Sequence, residues 1–271
     1  MLIDGKALAQ KIKERLRGEI AKRDNAPLLS IISVGENSIS EKYLTVKKKL
    51  AEEIGVRVEE IHFKNESTEK EIREVLQNHR EKNTGIIVQL PLPPQFDTGK
   101  ILDSIAPKND PDMLSSSSRD MFERGESTLL PPVIGAVQEI VNEYNIALKH
   151  KKVVVVGEGV LVGKPSIVWF KREGAEVSSV NIDTPKEERK KFLQQADIIV
   201  SGAGVPHLIG KEEVKEGVIV FDAGTSEEGG ALKGDIAPDV AKKAALFTPT
   251  PGGMGPLASV MLFKNLVYLT Q

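Results

Sequence analysis

Leu8, Ile12, Leu16 and Ile20 recur at every fourth position. That spacing lays one apolar stripe along an amphipathic helix and predicts that the first segment covers a core. The period then changes. "LLSIISVG" at 28–35 is a short, β-branched run ending in glycine, the pattern of a buried strand in a parallel sheet. A helix over 39–54 follows, then a strand at "RVEEIHF". Next comes a helix opened by Ser67 or Thr68, where Thr68 and Glu71 have the spacing of a capping box. A strand at "GIIVQL" (85–90) closes the series.

Alternating helix and strand predict an α/β layer fold with a mostly parallel sheet. "PLPPQFD" and "APKNDPDMLSSSS" break the rhythm with proline, aspartate and serine, so they read as loops or interdomain connections. A helix at 133–146 leads into a second unit. There the pattern restarts with "KVVVVGEGVLVGKP", a helix to Glu173, strand "AEVSSVNI", helix "PKEERKKFLQQ" and strands "ADIIVSGAG" and "VIVFDAG". Glycine at the carboxyl ends of three strands is the habit of a mononucleotide-binding sheet. Two α/β domains are expected, the second of Rossmann type.

Composition narrows the partners. In 271 residues the net charge is −2, with 28% charged and 40% hydrophobic residues, which gives no overall electrostatic grip on nucleic acid or an anionic membrane. A small-molecule partner is the default. With no cysteine there are no disulfides and no thiolate metal site, and the four histidines, His62, His79, His150 and His207, are too scattered for a ligand pair; no metal is expected. The N-terminus lacks the unbroken apolar region of a signal peptide, and no run reaches the roughly 20 apolar residues of a membrane span. A cytoplasmic protein is expected.

The strand "VVVV" runs into Gly157, Gly159 and Gly163. A tight strand-to-helix turn needs permissive backbone, and a pyrophosphate must approach N–H groups at a helix start without a Cβ in the way. The spacing is one residue longer than the usual dinucleotide fingerprint, and alone it also suits a packing turn. Gly157, Glu158, Gly159, Val162 and Gly163 are candidate cofactor contacts, with Ile182 and Asp183 at the next strand end, Gly204 after a third strand and Thr225 after "FDAG". Asp183 can accept from a ribose 2′-OH, favouring NAD. Lys186 and Arg189 can neutralise the 2′-phosphate of NADP. The turn does not separate the two.

"EKYLTVKKKLAEE" (41–53) sets Tyr43 and Lys47 four apart on one helix face. By itself it reads as a solvated lysine-rich surface. Together with "VQLPLPPQFD" (88–97), "TPTPGGMGPLASVML" (248–262) and the turn "GEGVLVGKP", it resembles the bifunctional methylenetetrahydrofolate dehydrogenase/methenyltetrahydrofolate cyclohydrolase family, over nearly the whole chain and in the right order. The resemblance implies two α/β domains with a folate cleft between them: residues 1–130 plus 250–271 for folate, 131–249 for NAD(P). It implies a folate substrate, NADP as cofactor with NAD also possible, and a homodimer formed through the nucleotide domains. Tyr43, Lys47 and Gln89 take the family's catalytic positions, and Asp112 its pterin-binding aspartate. Pro251, Gly252 and Gly253 bring bare backbone to folate and nicotinamide. Without the family, Asp112 reads as a loop turn after Pro111 and the glycine pair as a tight loop before the last helix.

Several positions depart from the family. Glu158 and Gly159 stand where arginine and serine are usual, and an acid there repels a 2′-phosphate unless it turns away. "NDPDM" (109–113) replaces a string that ends in glycine. "LLPPVIG" replaces a proline–cysteine–threonine–proline string, and Ala258 replaces a threonine. A short-chain dehydrogenase also uses a tyrosine–lysine pair, but there the glycine turn precedes it in the chain. A monofunctional dehydrogenase of the same fold is opposed by the presence of both Lys47 and Gln89. A non-catalytic nucleotide-binding module is opposed by candidate catalytic groups in both halves.

Overall fold

The structure, a computed structural model, describes residues 1–35, 38–79 and 83–271, and of 38–43 the backbone alone. The chain divides into two compact units, one of residues 10–132 with 259–271, the other of residues 1–9 with 133–258. They are called the first and second units here.

The first unit begins in α1 (Gly5–Ile20) and continues through β1 (Leu28–Val34), α2 (Ser38–Ile54), β2 (Arg57–Phe63), α3 (Glu69–Asn78) and β3 (Thr84–Val88). The stripe of α1 is buried as its spacing requires, each of Leu8, Ile12, Leu16 and Ile20 being under 9% exposed. α3 starts at the expected capping box: Thr68 Oγ1 accepts from the Glu71 N–H, and the Glu71 carboxylate accepts from the Thr68 N–H at 2.7 Å. The strands run parallel in the order β2-β1-β3. Central β1 buries Leu29, Ile31 and Ile32 completely, each contributing roughly 2 kcal/mol of apolar transfer.

Of the two stretches expected as loops, the second ends in helix: α5 (Ser116–Arg124) takes in the end of the serine run, while α4 (Thr98–Leu102), capped by Asp97, lies between the two. Serine suits this place because it caps better than it propagates. The Ser115 hydroxyl accepts from the Ser118 N–H, and Gly125 ends the helix at φ 76°.

The second unit contains α6 (Pro132–Glu143), β4 (Lys152–Val156), α7 (Gly163–Arg172), β5 (Glu176–Val180), α8 (Lys186–Gln195), β6 (Ile198–Ser201), β7 (Ile219–Asp222), the hairpin β8 (Ser226–Glu228) and β9 (Ala231–Lys233), and β10 (Leu246–Thr248). Its main sheet is parallel, in the order β10-β7-β6-β4-β5. Counted within the unit this is the doubly wound order 2-1-3-4-5, whose switch point lies between its first and third strands, β4 and β6. Val153 to Val156 and Ile198 to Val200 are buried, as strands covered on both faces must be.

Residues 1–9, expected with the folate domain, belong by contact to the second unit. Leu2 bridges Phe247, the Ile3 N–H donates to Phe247 O at 2.9 Å, and the Phe247 N–H donates to Met1 O at 3.0 Å. This extends the β10 edge with a segment too short to show a strand period. Residues 250–258 join the second unit for a related reason: a Cβ on Gly253 would lie 2.6 Å from Pro249 O, and one on Gly5 would lie 1.9 Å from Gly253 O. α9 (Met254–Leu269) then carries the chain back into the first unit. It buries Leu257, Val260, Met261, Leu262, Phe263, Leu266 and Val267, leaving little of its circumference to solvent.

Candidate functional site

In the first unit, α2 delivers Lys47 to the end of β3. Its Nζ donates to Gln89 Oε1 at 2.9 Å. Gln89 lies one residue beyond β3 and is buried; its backbone N–H still continues the ladder to Ile32 O at 2.8 Å, and its Nε2 donates to Leu90 O at 3.1 Å. The side-chain amide is thus fixed at both its oxygen and its nitrogen, and the backbone behind it by the ladder. Lys47 is half-buried, and burial lowers its pKa from the ordinary 10.5, against the opposing charge of Asp112. Lys48 and Lys49 are exposed, Lys48 pairing with Glu60. Three consecutive lysines therefore meet different surroundings because a helix rotates each by about 100°. The side chain of Tyr43, one helical turn before Lys47, lies outside the described residues.

Asp112 lies within electrostatic reach of this amine, on a loop fixed from several sides. Burial raises its pKa, Lys47 opposes the rise and Asp110 adds to it. Asp110 is itself buried and spent on structure: its carboxylate accepts from the N–H groups of Leu114 and Ser115 and from Ser115 Oγ at 2.7 Å. Met113 takes a left-handed backbone at φ 55°, which glycine would adopt without strain. Asn265 of α9 clamps the loop from the other side, its Nδ2 donating to Pro111 O and to Leu130 O, both at 2.9 Å. Asn265 escaped the sequence reading, although a lone amide in the apolar run "FKNLVYL" was its visible signal.

In the second unit the three glycines of the turn after β4 have separate duties. Gly157 needs its freedom for φ 87°, and a Cβ on Gly163 would fall 1.9 Å from Gly157 O, so Gly163 is required where α7 packs on the turn. At Gly159 a Cβ would meet nothing within 4 Å. Packing does not demand glycine there. Val162 precedes α7 without a side-chain cap; Lys164 gives its N–H to Gly159 O at 3.0 Å and Pro165 has none, so the Gly163 N–H is the first-turn donor left for an anion. Gly204, in the turn after β6, has φ 70° and open space around it. The two turns meet at the switch point: a Cβ on Gly202 would lie 2.5 Å from the Val162 side chain. An uncapped helix start beside two glycines that face open space fits a dinucleotide.

The remaining candidates are placed as follows. Glu158 Oε1 accepts from Ser179 Oγ of β5 at 2.6 Å, which turns one carboxylate oxygen toward the neighbouring strand. β5 stops at Val180, short of the expected Ile182. Ile182 and Asp183 form a turn in which Asn181 Oδ1 accepts from the Asp183 N–H at 3.0 Å, and Ile182 is 98% exposed. Arg189, a candidate for the 2′-phosphate, is instead half-buried against Glu213 at 3.1 Å. Lys186 opens α8 and is exposed. Thr225 is exposed between β7 and β8. Pro251 follows a cis peptide, Gly252 has φ 103°, and Gly253 packs on the end of β10.

A doubly wound sheet with glycine turns at its switch point, in one chain with a unit that buries a lysine amine, defines a two-domain α/β protein of the dinucleotide-binding class. Comparison with known proteins takes this further. The chain belongs to the tetrahydrofolate dehydrogenase/cyclohydrolase family: residues 3–112 match the profile of its catalytic domain and residues 131–271 that of its NAD(P)-binding domain. It is 36% identical to bifunctional protein FolD 2 of Lactobacillus johnsonii, the alignment covering 100% of this chain and 97% of that protein. Among solved structures it resembles the bifunctional enzyme FolD of Campylobacter jejuni, with a TM-score of 0.95 and 34% identity over 100% of this chain and 98% of that one. It also resembles the Trypanosoma brucei enzyme complexed with NADP cofactor and inhibitor, with a TM-score of 0.93 and 33% identity over 100% and 97% of the two chains.

Proposed function

We propose that this protein oxidises 5,10-methylenetetrahydrofolate to 5,10-methenyltetrahydrofolate with NADP and hydrolyses that product to 10-formyltetrahydrofolate. The Lys47–Gln89 contact carries the reading: an amine made less basic by burial, held by a neutral amide, within the stretch that matches the family's catalytic domain. Bound NADP supplies the hydride acceptor. For that step the chain has only to hold its reactants in line. Hydrolysis asks more, because the attacking water must lose a proton and ring opening needs one on nitrogen. Lys47 Nζ is the proton carrier. Gln89 holds it without adding charge, whereas a carboxylate would keep it protonated.

Tyr43, on the same helix face, is assigned to packing against folate and steering the amine. Asp112 is assigned to the pterin, whose parallel N–H donors an ionised carboxylate accepts in a bidentate way. Pro251, Gly252 and Gly253 present backbone to the substrate. Gly157, Glu158, Gly159, Val162 and Gly163 are assigned to the pyrophosphate turn, Ile182 and Asp183 to the adenosine ribose, and Gly204 and Thr225 to the nicotinamide half. NADP is the preferred cofactor, with NAD admitted. Lys186 is the basic group left for a 2′-phosphate now that Arg189 is engaged by Glu213.

Two absorbance assays test the proposal. Methylenetetrahydrofolate with NADP should yield NADPH, and methenyltetrahydrofolate should lose its chromophore without nucleotide. Absence of the second activity alone would leave a monofunctional dehydrogenase; absence of both would overturn the reading. Repeating the first assay with NAD settles the cofactor. A homodimer in the cytoplasm is the corresponding assembly and place: β5 forms a sheet edge able to pair with a second copy, and among the described residues no helix is long and apolar enough to cross a membrane. Light scattering should give twice the 29.6 kDa chain mass.

A further inference from the structure

The proposed chemistry leaves two buried carboxylates unused. Asp222 ends β7 and is 1% exposed; Asp235 follows β9 and is fully buried. Asp235 Oδ2 accepts from Ser201 Oγ at 2.6 Å and from the Ala203 N–H at 2.7 Å, while its Oδ1 accepts from the Val205 N–H at 2.9 Å. Asp222 Oδ1 accepts from the N–H groups of Gly224 at 3.2 Å and Asp235 at 3.1 Å, and its Oδ2 accepts from the Ile236 N–H at 3.1 Å. The Asp222 N–H goes to Thr248 Oγ1 at 2.7 Å. Each acid therefore fixes backbone in a turn other than its own.

Glycine makes the arrangement possible. A Cβ on Gly224 would lie 2.0 Å from the Asp235 carboxyl carbon, and one on Gly234 would lie 1.9 Å from Asp222 Oδ2. Burying two acids side by side is costly, even with every oxygen accepting a hydrogen bond. The turns they hold follow β6 and β7, at the carboxyl edge where open α/β sheets take their ligand.

We propose that Asp222 and Asp235 are positioning residues for dinucleotide binding, together holding the turns 202–205 and 223–225 in their binding conformation. This rests on the reading of the second unit as an NADP site and adds residues that act on it through the backbone. It also gives binding a pH dependence. Burial, with the charge of Asp235 adding to it against the N–H groups of Ile236, Asp235 and Gly224, pushes Asp222 up to about 7. Protonated, Asp222 turns a hydroxyl toward N–H donors and loses an acceptor, so the turns loosen as pH falls through that value. The charged side chain beside the Asp222 carboxylate is Asp235, from the turn after β9; Ser201 of β6 bonds Asp235, and Thr248 of β10 takes the Asp222 backbone N–H. His207 and Glu228, the latter at the end of β8, lie within electrostatic reach of each other.

Calorimetric titration with NADP at pH 6, 7 and 8 tests the pair. The wild type should bind about tenfold more weakly at pH 6 than at pH 8. Asp222→Asn should be about tenfold weaker at pH 8 and should lose the part of the pH dependence centred near 7. The nucleotide's own phosphates titrate alike with both proteins. If Asp222→Asn fails to fold, Ser201→Ala removes one donor to Asp235, keeps both acids, and should weaken binding about threefold. A readout without nucleotide accompanies these. Because folded Asp222 keeps a proton that the unfolded chain has lost, wild-type stability in urea should fall as pH rises from 3.8 to about 7, and the variant should lack that slope. Equal affinities and parallel pH profiles would overturn the proposal alone; a wild type that binds neither NADP nor NAD would overturn the functional reading with it.

Discussion

The two units reach function by opposite means. In the first, the proposed chemistry sits on side chains: an amine whose basicity burial lowers, the amide that holds it, and a carboxylate whose pKa burial raises. In the second, the candidate contacts are largely backbone, exposed where glycine removes the Cβ and where α7 starts at Gly163 without a side-chain cap. Two charged groups there, Asp222 and Asp235, stay behind the turns. A proton carrier needs a tuned pKa, which requires a particular side chain in a particular burial. A dinucleotide phosphate needs donors at a fixed distance, which any backbone supplies once nothing stands in front of it.

The largest test of this contrast is Lys47→Met. It should lower hydrolysis on the order of 10³-fold while hydride transfer stays within about tenfold, because only hydrolysis needs the proton. Separate initial rates for the two half-reactions measure it. Equal loss of both would mean that Lys47 organises the substrate and carries no proton. Gln89→Glu sharpens the same point with a smaller effect. A carboxylate bonded to Nζ raises the lysine pKa, so hydrolysis at neutral pH should drop about tenfold and recover as the pH is raised. An unshifted pH–rate profile would remove the amide from its role.

How far each region was legible in the sequence follows from the same contrast. Strands and helices of both units showed in period and capping, down to Thr68 and Glu71. The turn glycines showed because glycine at a strand end is rare without cause. Lys47 could be separated from Lys48 and Lys49 only through resemblance, since the three differ in what lies opposite them rather than in type. The serine run misled because its first member caps a helix that the rest enters. The ribose-side strand was read too long because "VNI" keeps a β-branched composition past the last ladder bond at Val180. Asp222 and Asp235 stayed hidden because nothing in "FDAG" or "KGDIAP" says that an acid is turned inward.

For the second unit, a paired substitution asks whether its glycines serve packing or ligand. Gly163→Ala should cost about 1–3 kcal/mol of stability, since its Cβ would collide with the Gly157 carbonyl. Gly159→Ala should leave stability within about 0.5 kcal/mol and weaken nucleotide binding about tenfold. Urea unfolding and NADP titration on both variants give the four values. Should Gly159→Ala bind nucleotide like the wild type, glycine at 159 would serve neither packing nor ligand, and only Gly157 and Gly163 would have a reason in the turn.

The smallest expected effect concerns stability and returns to Lys47. Its pKa in the folded chain is below the ordinary 10.5 that the unfolded chain retains. Between those two values the unfolded state binds a proton that the folded state does not, so unfolding free energy rises with pH across that window. Below the folded-state value both states are protonated, and the buried charge is a standing cost. The difference in stability between wild type and Lys47→Met should therefore move in favour of the wild type as pH rises from neutrality toward 10.5. Taking this as a difference matters, because the variant also leaves Gln89 Oε1 without its donor and loses stability for that reason at every pH alike. A flat difference would show an amine as basic as one in water, and the first unit would then have no more claim to tuned chemistry than the exposed lysines beside it.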